Sequence, residues 1–340
     1  MADLAPPDDA PQQEPGPRPL PLFLELVRRA GEHDPALASA ALAGLRAYQR
    51  APRAADRRQR AAVATVGGAS LRACGGSGAP IVLVPSLINP PYILDLEPGC
   101  SVAEALTPVG RVLLLDWGAA SARSLSLSEH VRTLLLPLLA ALGEPAALVG
   151  YCLGGTLALA AGSAAPTRGV ATLAAPWRFA GYPEATRSAV RRMRDEAWPA
   201  AAALGLMPME VLQAAFWSID PARTVAKFAA FGRLDPASAE ARRFVTLEDW
   251  ANGGEAMPLA AAAELVDDLF GADRSGAGEW FGLPTAPTLH FTAADDRIVP
   301  AATAGPGECR AIPSGHVGMI VGRRAPEQLF APLAEWLRAR

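Results

Sequence analysis

The sequence has no charge excess. Its 31 Lys and Arg residues oppose 34 Asp and Glu residues, a net charge of −3, and no basic stripe stands out. A nucleic-acid partner is therefore not expected, because phosphate binding requires a clustered positive surface. Cysteine is scarce: Cys74, Cys100, Cys152 and Cys309 have no CxxC spacing. Neither a metal-ligand spacing nor a strand-linked, phosphate-binding glycine loop occurs, so no bound metal or cofactor is expected. Gly67, Gly68, Gly75, Gly76 and Gly78 read as turns. The N-terminus also lacks the basic-then-apolar pattern of a secretory leader, which implies reduced thiols in a cytoplasmic setting. The apolar stretch Leu134–Ala164 is broken at Gly143, Glu144 and Pro145, before it reaches membrane-spanning length. It reads as buried helix, strand and helix, with no transmembrane segment. What the chain does have is 340 residues at 51% hydrophobic content, enough to bury a large core.

Residues 1–20 are Pro-, Asp- and Gln-rich at their start and read as a disordered tail. A helical prefix is expected over 21–62, with helices at Leu22–Ala30 and Pro35–Gln49 and a continuation from Arg58. The main body then alternates strand and helix. Strands are predicted at Ile81–Val84, Arg111–Leu115, Ala146–Gly150 and Gly169–Ala174, with helices at Leu125–Leu142 and Leu153–Ala165. Short apolar strands alternating with helices indicate a mostly parallel sheet covered on both faces. From Trp177 to Leu283 the alternation stops and only helical stretches are read, as an inserted cap over 177–283. Its aromatic residues, among them Trp177, Phe179, Phe228 and Trp280, are expected to be mainly packing, with some lining an acyl pocket. Asp249, Trp250, Asn252, Gly253 and Gly254 read as a polar break between cap helices. Strands return at Thr288–Thr292 and Cys309–Ile312, placing the core at 63–176 and 284–340.

Cys152 lies in this pattern at the junction of strand and helix, flanked by Gly150 and Gly154. That spacing matches a nucleophile elbow, where a tight, strained turn raises one side chain above the sheet edge and only small neighbours fit. Gly155 lets the following helix pack closer. A sulfur at a helix N-terminus sits where amide dipoles favour negative charge. Asp295 and Asp296 follow a later strand and compete for the role of catalytic acid, and His316 follows the last. Nucleophile, acid and histidine in this chain order, each after a predicted strand, reproduce the α/β-hydrolase fold's arrangement. His33, His130 and His290 are placed in helices or a buried strand and are poor substitutes. Backbone N–H donors for an oxyanion are expected from Leu153 and from the loop after the first core strand. Pro85 cannot donate, so Leu87 is the choice and Ser86 the alternative.

The strings LVPSLINPPYILDL (83–96), VLLLDWG (112–118), VGYCLGGTLALA (149–160), DDRIVP (295–300) and SGHVGM (314–319) together resemble the polyhydroxyalkanoate synthases. These are polymerases of the α/β-hydrolase superfamily with cysteine in place of serine. LEDWANGGEAMPL (247–259) resembles that family's Trp- and Asn-rich cap segment, with Ala251 and Gly254 interrupting its polar pattern. The resemblance implies that Cys152 carries the acyl group, His316 is the general base, and Asp296, which directly precedes Arg-Ile-Val-Pro, orients it. Asp295 is the runner-up. It further implies a hydroxyacyl-CoA substrate, release of CoA, a growing polyester chain as product, and location at polyester granules. Because the size is near that of the short catalytic-subunit type, a second synthase subunit or a homodimer is an implied partner. A cysteine-type ester or thioester hydrolase, including a polyester depolymerase, would use the same residues. A noncatalytic granule-associated protein would not need them together.

Overall fold

Fully buried apolar segments pair side by side in the computed structural model, which describes residues 16–53, 60–119 and 124–340. An eight-stranded sheet forms from β1 (Ala62–Val66), β2 (Ala69–Gly75), β3 (Pro80–Val84), β4 (Arg111–Asp116), β5 (Ala147–Tyr151), β6 (Gly169–Leu173), β7 (Thr288–Ala293) and β8 (Glu308–Ile312). Their spatial order is β1-β2-β4-β3-β5-β6-β7-β8. From β4 across to β8 the strands pair parallel, while β2 pairs antiparallel with both β4 and the edge strand β1. β3, β5 and β6 are buried along their whole length, as expected of strands covered on both faces. The edge strands β1 and β8 alternate in exposure instead. This is the α/β-hydrolase fold, with helices on both faces of a mostly parallel sheet.

The chain divides into two compact units, Met1–Ala55 with Asp220–Asn252, and Asp56–Ile219 with Gly253–Arg340. In the smaller unit, helices Leu20–Gly31 and Pro35–Arg50 join Pro221–Phe231 and Ala239–Asn252. Phe23, Tyr48 and Phe244 surround Phe228, with ring centroids 4.8, 5.8 and 5.5 Å from it. Gly44 permits the close crossing, since a Cβ there would lie 1.9 Å from the Phe228 carbonyl oxygen. The Tyr48 hydroxyl donates to Asp249, which Arg53 also contacts at 3.2 Å. Part of what reads as one cap in the sequence is therefore the core of a separate helical unit. Phe228 and Phe231 are its packing residues.

Three sequence expectations change. The continuation of the prefix helix from Arg58 does not extend to its expected end at 62: residues 54–59 lie outside the described residues, and Ala62 opens β1. Hydrogen bonding to β2 supplies there what a helix would have supplied internally. The segment 177–283 is not strand-free, because Met257–Pro258 pairs antiparallel with Leu206–Met207. The polar break does not begin at Asp249, since the helix runs through Asn252, whose side-chain amide donates to the Glu248 carbonyl at 2.7 Å. The expected disordered tail falls mostly on residues 1–15, outside the described residues. No helix among the described residues is long and apolar enough to cross a membrane.

Candidate active site

β5 ends at Tyr151 and the helix Leu153–Ala164 begins two residues later, so Cys152 alone makes the turn. It does so at φ 54° and ψ −132°, a strained conformation for a residue with a Cβ. The turn is held from both sides: the Cys152 N–H donates to the Leu173 carbonyl at 2.9 Å, and its carbonyl accepts from Gly155 at 2.8 Å. The flanking glycines are there because backbone passes backbone. A Cβ on Gly150 would meet the Gly155 Cα at 2.4 Å, and one on Gly154 would meet the Val84 oxygen at 2.2 Å. Gly155 in turn leaves room for Ala175, whose Cβ a substituent would approach to 2.3 Å. Cys152 is consequently half-buried, at the end of the sheet where parallel strands deliver their loops.

Asp296 and His316 arrive from the loops after β7 and β8. The Asp296 side chain is fully buried; its Oδ1 accepts from the Ile298 and Val299 N–H groups, both at 2.8 Å, and its Oδ2 lies 2.7 Å from His316 Nδ1. Two backbone donors thus fix the carboxylate before it meets the imidazole. Asp295 is exposed, and its backbone N–H bonds the Ser314 carbonyl at 3.0 Å. Of the two competing acids, Asp296 is the one against the histidine. His316 is buried against Tyr151, the rings 5.1 Å apart and tilted by 30°, and the Tyr151 hydroxyl reaches the His316 carbonyl at 3.4 Å. Burial alone would push the imidazolium to a lower pKa. The charge of Cys152 and hydrogen bonds to Asp296 and Cys152 outweigh it and raise His316 to about 10. Tyr151, the residue before Cys152, thus ties the elbow to the loop that carries His316.

Leu153 is the first residue of the elbow helix, where a backbone N–H has no intrahelical acceptor. Leu87 and Ser86 lie in the loop after β3, next to β5 in the sheet, with Val84 opposite Gly150. Trp117 holds this loop, donating its Nε1–H to the Pro85 carbonyl at 3.0 Å. The Ser86 hydroxyl accepts from the Ile88 N–H at 3.2 Å, a local turn that leaves Leu87 between two fixed peptides. Sequence reasoning did not identify Tyr151 or Tyr182 as neighbours of the site. Both hydroxyls are raised well above the ordinary tyrosine range, first by burial and then by the charges of Cys152 and Asp296. Tyr151 adjoins the cysteine in the elbow string, but Tyr182 carries no pattern that could have marked it.

The remaining histidines are placed elsewhere. His290 in β7 has Thr172 at 2.8 Å on Nδ1 and the Pro306 carbonyl at 3.2 Å on Nε2, and burial lowers its pKa. His130 is buried with the Ser126 carbonyl 2.7 Å from Nδ1, and His33 is exposed in the helical unit. Among the cysteines, burial raises Cys74 to about 11, and Cys100 is buried under Val321. No group of three or more His, Cys, Asp or Glu residues is arranged to hold a metal among the described residues.

No family model matches the chain. It is similar to poly(3-hydroxyalkanoate) polymerase subunits PhaC: 26% identical over 294 residues to that of Haloferax mediterranei and 24% over 289 to that of Allochromatium vinosum. Each match covers 77% of this chain; it spans 59% of the first relative's length and 81% of the second's. The chain is thus distantly similar to these polymerase subunits. Among solved structures, a hydrolase from Pseudomonas aeruginosa is 21% identical with a TM-score of 0.54, covering 83% of this chain and 99% of that one. The monoacylglycerol lipase of Paleococcus ferrophilus is 16% identical with a TM-score of 0.52, covering 79% and 98%. Both share the fold.

Proposed function

We propose that the protein is a cysteine-dependent acyl-transfer enzyme that cleaves an ester or thioester through an acyl group held on Cys152. The observation that carries this reading is the elbow cysteine, held in a strained turn whose preceding residue, Tyr151, packs against a buried histidine that a carboxylate contacts. His316 takes the thiol proton, and the sulfur attacks the carbonyl carbon. The carbonyl π pair moves to oxygen, where the Leu153 and Leu87 N–H groups receive the charge. Collapse expels the leaving thiol or alcohol, which regains a proton from His316. With Nδ1 engaged by Asp296, Nε2 is the nitrogen available for both transfers. His316 then deprotonates an acceptor hydroxyl, whose oxygen attacks the thioester and frees Cys152.

With water as acceptor, the product is a free acid and the protein is an esterase or thioesterase. A second reading uses the 3-hydroxyl of another 3-hydroxyacyl group, so that ester bonds accumulate and CoA is released at each addition. The names of the curated relatives support it, as do the quoted core strings. Under that reading hydroxyacyl-CoA is the substrate, polyester the product, and a second subunit or a homodimer and a granule surface are its setting. One incubation separates the two. With 3-hydroxybutyryl-CoA, thiol release together with free hydroxyacid identifies hydrolysis, and thiol release with high-molecular-weight polyester identifies polymerisation. Thiol release from Cys152→Ser at the wild-type rate would overturn both.

A further inference from the structure

A segment distant in sequence from β3 grips the loop that carries Leu87. The N–H of Glu255 donates to the Ile88 carbonyl at 3.3 Å. Gly254, one residue earlier, is buried against the same carbonyl: a Cβ there would lie 2.7 Å from the Ile88 oxygen, 2.5 Å from Met209 Cε and 2.7 Å from Met209 Sδ. Its φ is not in the left-handed region, so the glycine is needed for closeness and not for backbone conformation. Just beyond, Met257 pairs with Met207, and Met209 begins the helix after that ribbon. The ribbon therefore joins the segments that bring Gly254 and Met209 together, and Gly254 lies between Met209 and the Ile88 carbonyl.

The same loop is tied at Pro85 by Trp117 and at the Ile88 N–H by Ser86. Glu255 adds a third tie, on the far side of Leu87. The peptides before and after the one that carries the Leu87 N–H are thus held, and the Glu255 tie pins the next peptide along, which restricts the direction of the Leu87 N–H. We infer that Gly254 and the backbone amide of Glu255 are positioning elements for the oxyanion pocket, setting the Leu87 N–H by clamping the Ile88 carbonyl. The inference rests on the reading of Leu87 as the second oxyanion donor. Donor placement matters at this scale, since displacement by about 1 Å costs on the order of 100-fold in rate.

The test separates an effect on the oxyanion from an effect on the nucleophile. A short alkyl trifluoromethyl ketone adds Cys152 across its carbonyl: a C–S bond forms, the π pair moves to oxygen, and no group leaves. Iodoacetamide instead alkylates the same sulfur with loss of iodide and develops no oxyanion. Gly254→Ala is expected to weaken the ketone adduct about 100-fold, while alkylation of the Cys152 peptide, followed by mass spectrometry, keeps the wild-type rate. Met209→Ala alone should leave the adduct intact. If Gly254→Ala does not fold, Gly254→Ala combined with Met209→Ala removes the side-chain overlap but keeps that with the Ile88 carbonyl, and the same loss is expected. An unchanged adduct overturns the inference, and so does an equal fall in adduct and alkylation. A wild-type protein that forms the adduct but releases no thiol from 3-hydroxybutyryl-CoA would defeat the proposed substrate and leave this positioning role standing. No wild-type adduct at Cys152 would defeat both.

Discussion

His316 Nδ1 and Asp296 Oδ2 lie 2.7 Å apart, although their loops leave two different strands, and the Asp296 side chain is wholly buried. The other carboxylate oxygen is occupied by Ile298 and Val299. Asp296 is thus held by two backbone donors as well as by the histidine, and in the proposed reaction its effect is orientation of the imidazole.

Asp296→Asn should preserve the loop, because the amide oxygen can still accept from Ile298 and Val299. It offers an N–H donor where His316 Nδ1 needs an acceptor. Thiol release should fall by about 10³ to 10⁴, with melting temperature nearly unchanged. A loss no larger than that of Asp295→Asn would remove Asp296 from the proposed role.

The raised pKa of His316 predicts a pH-dependent stability with a definite sign. Its folded value of about 10 lies above the ordinary 6.5, so between these values the folded state binds more protons than the unfolded state. The contribution is complete below pH 6.5 and is lost as pH rises toward 10. Denaturant unfolding from pH 6 to 10 should therefore show a steeper decline for the wild type than for His316→Gln. Parallel curves would contradict the coupling.

Strain at Cys152 gives a stability prediction that opposes activity. Glycine adopts φ 54° and ψ −132° without a Cβ clash, whereas alanine keeps it. Cys152→Gly should be more stable than Cys152→Ala by about 1–3 kcal/mol, and both should lose thiol release. Chemical denaturation of the pair is the measurement; equal midpoints would show that the turn is unstrained.

Trp117→Phe keeps a ring in place but removes the donor to the Pro85 carbonyl. An unsatisfied buried acceptor costs about 1–3 kcal/mol. The loss should appear both in stability and in the rate of acyl transfer, since the same bond holds the Leu87 loop. A stability loss with an unaltered rate would separate the loop from the chemistry.

Much of the fold was legible because period and punctuation carried it. The fully buried strands β3, β5 and β6 read as short, mostly apolar runs between turns, and Gly150, Gly154 and Gly155 marked the elbow. β1 and β2 are not legible in the sequence: Ala62–Val66 is as apolar as β6 but short and adjoining the helical prefix, and β2 is interrupted by Ser70 and Arg72. The cap was read as one body because amphipathic helices disclose an apolar face without disclosing its partner. Only the packing of Phe228 with Phe23 and Tyr48 shows that part of it belongs with the first two helices.

By itself, the sequence determined the α/β alternation, the small residues around Cys152 and the order of candidate site residues, since these follow from local sterics and hydrophobic period. Tertiary structure placed Asp296, and not Asp295, against His316, because which carboxylate is buried beside an imidazole from another loop is not a local property. It also decided that Gly254 serves closeness to the Ile88 carbonyl. A glycine's sequence context does not reveal which distant backbone it admits; that requires the two segments to be in contact.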